Sequence, residues 1–556
     1  MGQILFVHIA IRKAQHFLQV FHTLKYLKFE QVWFRIYYLF KKPSPITVNT
    51  TLSHCAWRWV GPSIYKQSIF DEYTVEFLSL KGNLYSINGW NDPDKDKLWL
   101  YNLHYFDDLS SSDFVEREHI HFKFIDKWIE QNTACNGNGW EAYPLSLRLV
   151  NWVKWFSKQH KVEQKYLTSM FVQVSALSQQ LEYHILGNHL FANAKALTFI
   201  GCYLEGEKAE RYLDFGLKLL DREIPEQFLA DGAHFELSPM YHEILLWDLL
   251  ELIDLAKTSE NPKLLKRLPC WSGVAEKAIA WLNTMIHPDG EVSFFNDAAI
   301  GIAATPKQIF DYAKSLDLEV DDNVPNMITH KASGYSRLSL SNYYLIIDHA
   351  NVGPDYLPGH AHADTLSFEL SVGNERVFVN SGTSLYGVSK ERLRQRKTAA
   401  HNTVVVDGED SSEVWSGFRV ARRAYCNLVK VEQRERVFYL KAQHDGYRRL
   451  KGKVTHTRSF TADENNITIV DKLDGQYDRA SAFFHLHPNV EITSITDNEI
   501  KIKTKACHVV TIHSTCRIEL LDSTYHPEFG VTINNKKLKM DLVDHQLNTV
   551  ISLNKD

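Results

Sequence analysis

Two histidines and an aspartate alternate with alanine in the segment Gly-His-Ala-His-Ala-Asp, which covers residues 359–364. Read as a strand, the segment presents His360, His362 and Asp364 on one face, because side chains of a strand alternate between its two faces. The apolar residues that follow continue on that same face, so the imidazoles border the core. Such a pair suits three roles: metal ligands, a catalytic base, or core histidines satisfied by hydrogen bonds. His401 lies downstream and is a further candidate for the same group.

Two predicted helix starts carry side chains that suit acid–base chemistry. Ser238 followed by Pro239 is typical of a helix N-terminus, with serine as the cap and proline in the first position. Tyr241 then lies in the first turn, where unpaired backbone N–H groups and the helix dipole favour negative charge. Asn188 precedes another apolar block and is predicted to cap it. The structural alternative is that Asn188 only caps and Tyr241 only packs.

Charged side chains in two other segments allow more than one interpretation. A basic run before His401 could bind an acidic substrate or form a solvated face; it consists of Arg392, Arg394, Arg396 and Lys397. Asn296 and Asp297 follow two phenylalanines and could line a cleft or form a turn. We favour the turn for this pair.

The period of the apolar residues changes near the middle of the chain. Between about residues 110 and 320 they recur every three or four positions, in the blocks 145–156, 167–181, 190–204 and 237–255. From about residue 333 the pattern becomes short alternating runs, at 343–348, 365–372, 376–380, 403–406 and 466–473. We predict a multidomain α+β protein, in which an N-terminal α/α toroid or helical bundle precedes a C-terminal antiparallel β-sandwich. The predicted domains are a docking segment (1–100), a toroid (101–325, ending in a polar linker near 321–325) and a sandwich (326–556).

The composition is that of an ordinary globular protein, and it excludes one class of partner. Of the 556 residues, 44% are hydrophobic and 23% are charged. Because 62 Lys and Arg stand against 67 Asp and Glu, the net charge of −5 provides no general basic field for nucleic acid. The seven cysteines are odd in number and scattered, so we predict reduced, structural thiols.

The N-terminal region bears on where in the cell the protein is located. Residues 4–11 are apolar, but no basic region precedes them and Arg12 and Lys13 follow at once, so we predict no signal peptide. No stretch approaches the roughly 18 uncharged apolar residues that span a bilayer. Residues 31–42 are basic and aromatic, which fits either a helix docked on the protein, the option we favour, or peripheral membrane contact. We expect a cytoplasmic or membrane-peripheral protein, with the periplasm as a third option.

The order of several short segments resembles the heparinase II/III-like polysaccharide lyases, which include alginate lyases. The resemblance covers about residues 100–550, and its segments are Asn188-His189, residues 235–242, 359–364, 380–383 and 401–403. It implies an α/α toroid followed by an antiparallel β-sandwich, in agreement with the change of period. It also implies β-elimination at a uronic acid within an acidic polysaccharide or oligosaccharide.

The resemblance also implies roles for individual residues. Asn188 and His189 would neutralise the sugar carboxylate, and Tyr241 would be the acid. The base would be Tyr241 itself or His360. Developing charge in such a reaction needs hydrogen-bond donors in a cleft poor in water. The predicted further substrate contacts are Glu236, Tyr386 and Arg396.

A structural zinc ion is implied as well, with His362, Asn380 and His401 as its ligands. Asn380 stands where an aspartate is expected, and a neutral amide oxygen is a poorer zinc ligand than a carboxylate. The zinc prediction is therefore conditional on this amide.

Three functions compete on the sequence alone. The leading one is a lyase acting on an anionic glycan. The alternative is a non-catalytic glycan-binding or assembly protein in surface-polysaccharide synthesis. A metal-dependent hydrolase built on the two histidines is the third, and it lacks a further dense set of ligands.

Overall fold

The computed structural model describes residues 16–321, 325–340 and 342–554. The apolar run at 4–11 and most of the predicted linker at 321–325 lie outside these residues. In the described part, no helix combines the length and the apolar character that crossing a membrane requires. All seven cysteines are described, and each is a free thiol, as predicted.

The first half of the chain is helical. Residues 16–24 are helical, and Pro262–Leu265 is a single turn. The longer helices are α1 (Phe29–Phe40), α2 (Lys97–Tyr105), α3 (Glu118–Gln131), α4 (Ala142–Phe156), α5 (Gln164–Ser178), α6 (Gly187–Tyr203), α7 (Glu207–Gln227), α8 (Pro239–Ser259), α9 (Leu268–Thr284), α10 (Pro306–Ser315) and, within the second half, α11 (Lys390–Arg396).

The four helical blocks predicted from the period are confirmed as α4, α5, α6 and α8. In α4, α6 and α8 most residues are buried, so these helices form the interior of the helical half. Their sequences are apolar around most of the helix for this reason. The first turns of these three helices supply side chains of the site described below.

The second half consists of strands, after one early hairpin. The hairpin is β1 (Thr74–Phe77) and β2 (Leu80–Asn83). The later strands are β3 (Met327–His330), β4 (Tyr335–Leu340), β5 (Tyr343–Asp348), β6 (Phe368–Val372), β7 (Glu375–Phe378), β8 (Val404–Val406), β9 (Val414–Trp415), β10 (Arg419–Val420), β11 (Cys426–Arg434), β12 (Val437–His444), β13 (Thr455–Ala462), β14 (Asn466–Asp474), β15 (Ala480–His485), β16 (Glu491–Ile495), β17 (Glu499–Lys503), β18 (Val509–Ser514), β19 (Ile518–Tyr525), β20 (Ile533–Asp541) and β21 (Gln546–Asn554).

Three open antiparallel sheets contain the later strands except β9 and β10, which pair with each other. Their orders are β3-β4-β5-β6-β7, β19-β20-β15-β8 and β11-β12-β13-β14-β21-β18-β17-β16. One buried apolar cluster takes residues from all three sheets, among them Phe368, Phe484 and Phe460. The sheets therefore share a core, and the alternating runs of the sequence place their apolar faces toward it.

The segment 359–367 is a loop, so the prediction that it is a strand is wrong. Its strand, β6, begins only at Phe368, and Leu366 has a positive φ of 66°. The loop is held by single hydrogen bonds rather than by a ladder: the His362 backbone N–H donates to Asn296 Oδ1 at 2.9 Å, and the Ser367 N–H to the Asp364 carbonyl at 2.8 Å. Strand alternation therefore does not decide where the two imidazoles point.

Helix α1 is docked on the helical half along one face. Gln31 is buried and donates to the carbonyls of Ile185 and Tyr356, both at 3.2 Å. The Tyr38 hydroxyl donates to the Leu181 carbonyl at 2.7 Å, and the ring of Phe34 stacks on Tyr183. The expectation that this basic, aromatic segment contains a docking helix is confirmed.

Candidate active site

Tyr241 lies in the first turn of α8, as predicted. The Ser238 hydroxyl accepts a hydrogen bond from the Tyr241 backbone N–H at 3.1 Å, and Pro239 occupies the first helical position. The same hydroxyl donates to the carbonyl of Asp297. The cap therefore joins the start of the helix to the segment that carries Asp297.

His360 stacks on Tyr241, with the ring centroids 3.8 Å apart. Its Nδ1 lies 2.9 Å from Asp297 Oδ2. A carboxylate only accepts hydrogen bonds, so Nδ1 carries a hydrogen, and in the neutral imidazole Nε2 then holds the lone pair. The Tyr241 and Tyr386 hydroxyls lie 3.0 Å apart. Burial, together with Tyr386, raises the pKa of Tyr241 well above its ordinary value, so the phenol stays protonated.

Asp297 is the centre of this group, which corrects the preference for a simple turn. The chain does bend here, with a φ of 56° at Asn296, but Asp297 is fully buried. Its carboxylate also accepts from His362 Nε2 at 2.8 Å and from Arg392, whose Nη2 lies 2.7 Å from Oδ2. Burial opposes ionisation, but the Arg392 guanidinium and the imidazoles hold the pKa of Asp297 well below its usual range.

Asn188 and His189 occupy the first turn of α6, but Asn188 is not the cap. The cap position is Leu186, which has no side chain able to cap, and Asn188 is the second residue of the helix. The prediction that Asn188 caps this helix is therefore wrong. His189 Nδ1 lies 2.9 Å from Glu182 Oε1. Burial opposes the charged imidazolium, but the Glu182 carboxylate outweighs it and raises the pKa of His189.

Glu236 connects the start of α6 to His360. It is 3% exposed, and neither carboxylate oxygen has a hydrogen-bond partner. Its Oε2 lies 3.8 Å from His360 Nε2, and the Asn188 backbone N–H faces it from the other side. Burial raises the pKa of this carboxyl group. Glu236 thus lies between the Asn188 backbone and the ring of His360, which in turn stacks on Tyr241.

Three helices begin at this place. Tyr143 is in the first turn of α4, and its ring centroid is 4.4 Å from that of His189 in α6. Tyr241 is likewise in the first turn of α8. Since the N-terminal end of a helix is the positive end of its dipole, three such ends favour a bound anion.

Two of the three predicted metal ligands are brought together. His362 Nδ1 and His401 Nε2 lie 3.2 Å apart, and both rings are buried. The amide oxygen of Asn380 accepts the Asn402 backbone N–H at 3.2 Å. Within the described ranges, no three His, Cys, Asp or Glu side chains are grouped so that they could hold a metal ion.

Arg396 lies outside the cluster around Glu236. It is completely buried, and its guanidinium donates to the Ala361 carbonyl from Nε at 3.0 Å and from Nη2 at 2.8 Å. The structure therefore gives Arg396 a role in positioning the 359–364 loop. Arg392 and Arg396 are both buried, so the reading of the basic run as a solvated face is wrong for these two residues.

Sequence reasoning missed several contributors to the site, among them Asp297 as its centre, Arg392 as the partner of Asp297, and Phe418. The ring of Phe418 packs edge-on against that of His360, with the ring centroids 6.2 Å apart. Asp297 and Arg392 are visible in the sequence as charged residues, but nothing local distinguishes them. Only their burial and their contact with each other could have found them.

Comparison with known proteins agrees with both halves of the chain. The family model described as Heparinase II/III N-terminus matches residues 108–317, and the one described as Heparinase II/III-like, C-terminal matches residues 323–552. A heparin-sulfate lyase of Bacteroides stercoris is 23% identical over 340 residues, which are 56% of this chain and 47% of that protein. One from Pedobacter heparinus is 25% identical over 268 residues, 44% of this chain and 40% of that protein. The chain thus matches less than half the length of either relative.

Solved structures share the fold over nearly the whole chain. A crystal structure of heparinase III superimposes with a TM-score of 0.70 at 18% identity, covering 95% of this chain and 90% of that one. The heparan sulfate lyase HepC from Pedobacter heparinus gives a TM-score of 0.58 at 15% identity, with 95% and 88% covered. With both family models matched across the helical and the sheet half, this chain belongs to the heparinase II/III-like family.

Proposed function

We propose that this protein is a polysaccharide lyase that cleaves a uronic-acid-containing anionic glycan by β-elimination. The observation that carries the proposal is the stacked pair of His360 and Tyr241, which places a free imidazole nitrogen beside a protonated phenol. A base and an acid at one place are what an elimination requires. The relatives named heparin-sulfate lyase support an acidic glycan as substrate.

In the proposed reaction, the side chains of Asn188 and His189 bind the sugar carboxylate at the helix ends. His189 suits this role because Glu182 raises its pKa and favours the charged form. His360 Nε2 removes the proton at C5, and the electrons of that C–H bond form the new double bond. The bond to the glycosidic oxygen on the neighbouring carbon breaks, and this oxygen takes the phenol proton of Tyr241. Tyr241 remains the second candidate base.

Two further groups complete the proposed site. The Tyr386 hydroxyl, at 3.0 Å from that of Tyr241, holds the phenol in place and contacts the sugar. Glu236, whose pKa is raised by burial, is a buried carboxyl group with no protein partner and is suited to bind a sugar hydroxyl. At the level of architecture, we propose that the helical half is an α/α toroid and that the sheets form a sandwich.

The proposal is tested with Tyr241→Phe and Asn188→Ala. Each removes one hydrogen-bonding group from the developing charge, so we expect the rate to fall by roughly 10² to 10³. The measurement is the ultraviolet absorbance of the unsaturated uronate, across a panel of uronate polymers. Tyr85→Phe, at an exposed tyrosine, is the matched control and should keep full activity. Full activity in both site variants would rule out the assigned roles. Binding of acidic oligosaccharide by the native protein without any product would favour the non-catalytic alternative.

We also propose that the implied structural zinc ion binds weakly. Two imidazole nitrogens in tetrahedral zinc coordination stand about 3.3 Å apart, and His362 and His401 are at 3.2 Å. When bound, the ion would fix these two rings, with the Asn380 amide as a neutral third ligand.

Asn380→Asp supplies a carboxylate at this position, and we expect it to raise zinc affinity at least about tenfold. The measurement is calorimetric titration of metal-free protein, with zinc-dependent thermal stabilisation as a second readout. His362→Ala is the control and should abolish both signals. Equal affinity in the native protein and in Asn380→Asp would exclude Asn380 as a ligand.

A further inference from the structure

The N-terminal helices present an apolar stripe to solvent. It comprises Phe17, Phe21, Leu24, Phe29, Val32, Trp33, Ile36, Leu39 and Phe40, all classed as exposed. Within each helix these residues recur every three or four positions, so they lie along one face. The outer face of a surface helix is ordinarily polar. Phe29 and Phe40 are 80% and 86% exposed, which shows how little protein covers the stripe.

The stripe is not the result of a loosely attached helix. The opposite face of α1 is anchored through Gln31, Phe34 and Tyr38, as described above. Lys28 also pairs with Glu226 at 2.6 Å and lies over the ring of Tyr356. One face is thus fixed to the protein while the other keeps its apolar side chains in water.

The charged side chains of residues 16–42, which carry the stripe, are almost all positive. Residues 16–42 contain five basic side chains, Lys25, Lys28, Arg35, Lys41 and Lys42, and a single acidic one, Glu30, which pairs with Arg222. Burial and the nearby Arg419 lower the pKa of Arg35. The whole chain carries a net charge of −5, so the basic character is local.

We propose that the outer face of residues 16–42 binds an anionic phospholipid surface. A basic, aromatic helix lies in the plane of the interface, with its apolar face in the acyl boundary and its cations at the headgroups. Helix α1 has 12 residues, whereas about 20 are needed to span a bilayer, so it lies on the membrane rather than through it. This binding is independent of the proposed lyase activity.

The same helices contact both loops that border the candidate active site. The Trp415 indole donates to the Thr23 hydroxyl at 3.0 Å, and Trp415 belongs to the β9-β10 hairpin whose Phe418 packs against His360. Gln31 binds the carbonyl of Tyr356, next to Leu357, which adjoins Gly187. Membrane binding would therefore set the orientation of the candidate active site relative to the lipid surface.

The test is co-sedimentation of the full chain with vesicles of phosphatidylcholine alone or with added phosphatidylglycerol. We expect binding to the anionic vesicles that weakens with salt. The triple variant Phe29→Ser, Trp33→Ser, Ile36→Ser should bind roughly 100-fold or more weakly. The double variant Lys41→Glu, Lys42→Glu should bind the anionic vesicles about fivefold or more weakly for each residue replaced. The matched control, Tyr85→Ser, Val115→Ser, Val543→Ser, removes equally exposed apolar side chains elsewhere and should bind as the native chain does.

Three results would overturn the proposal. The first is no binding to anionic vesicles, and the second is equal binding by the triple variant and the native chain. The third is a dimer in sedimentation velocity that the triple variant dissolves, without vesicle binding, since a second copy would then cover the stripe. Urea unfolding of each variant shows that a loss of binding does not come from a loss of fold.

Discussion

At the scale of single residues, one buried carboxylate, that of Asp297, holds the groups of the candidate site together. Asp297 fixes the hydrogen on His360 Nδ1 and at the same time neutralises the buried Arg392. Orientation of a catalytic imidazole by a carboxylate determines which nitrogen is free to act as a base. The orientation of the His360 ring and the integrity of the buried ion pair with Arg392 are therefore coupled through one side chain.

Asp297→Asn should lower kcat by about 10² to 10⁴, because an amide has one acceptor oxygen where the carboxylate has two, and the orientation of the His360 ring is no longer fixed. Its stability should also fall by about 3 to 5 kcal/mol, because Arg392 is left buried without a counter-charge. Steady-state kinetics well below the melting temperature separates the two effects.

The control for this variant is Asp289→Asn, which removes the partner of another buried arginine, Arg376, away from His360. Asp289→Asn should lower the free energy of unfolding and leave kcat unchanged. If Asp297→Asn kept native kcat while folded, orientation by Asp297 would be rejected.

At the scale of elements, a buried ion pair in the large sheet supports the loops of the site. Arg458 in β13 pairs with Asp471 in β14 at 2.7 Å, and both are fully buried. The Arg458 Nη1 also donates to the carbonyls of Leu366 and Asn402, at 2.7 and 2.5 Å. These carbonyls follow the 359–364 loop and His401, so the sheet holds both histidine segments through one guanidinium.

This pair predicts how stability depends on pH. Burial opposes ionisation, but Arg458 and His456 lower the pKa of Asp471 to about 2, against about 3.9 in an unfolded chain. A carboxyl group whose pKa is lowered by folding stabilises the folded protein above its unfolded pKa. Asp471 should therefore add about 2 to 3 kcal/mol to the free energy of unfolding above pH 4, and this contribution should be lost toward pH 2. Urea unfolding from pH 2 to 7 measures it.

Asp471→Asn should cost about 3 to 5 kcal/mol at pH 7 and lose this acid-dependent component. Asp522→Asn, in an exposed pair with Lys536, should cost less than about 1 kcal/mol. If the difference in free energy of unfolding between the native protein and Asp471→Asn were the same at every pH, Asp471 would not titrate as described.

At the scale of the whole molecule, the helical and sheet halves meet at Gly187. Its φ is +57°, a conformation that glycine adopts without strain. A Cβ atom there would come within 2.3 Å of Leu357 Cδ2, on the loop between β5 and β6, and 3.2 Å of Glu236 Oε1. The absent side chain lets the start of α6 approach the sheet half.

Gly187→Ala should therefore displace Leu357 and the first turn of α6. We expect a loss of about 1 to 2 kcal/mol from the left-handed backbone and a larger relative loss of activity, at least about tenfold. Gly273→Ala is the control: it lies in α9 with open space around it and should gain about 1 kcal/mol or less. Native activity in Gly187→Ala would show that this contact does not position the site.

The sequence by itself determined what depends on neighbours along the chain. The helical and sheet halves follow from periods of 3.6 and 2 residues, and the place of Tyr241 follows from a serine cap and a proline three and two positions before it. The segments typical of the family are likewise local. Each of these signals lies within one helix or strand.

The tertiary structure alone decided what depends on distant contacts. His360 meets Asp297 across 63 residues, and Arg392 meets it across 95. The 359–367 segment became a loop because Asn296 and Asp364 hold its backbone, and Arg396 turned inward to bind the Ala361 carbonyl. Burial and electrostatic pairing between distant segments arise only when the chain is packed, and no local pattern records them.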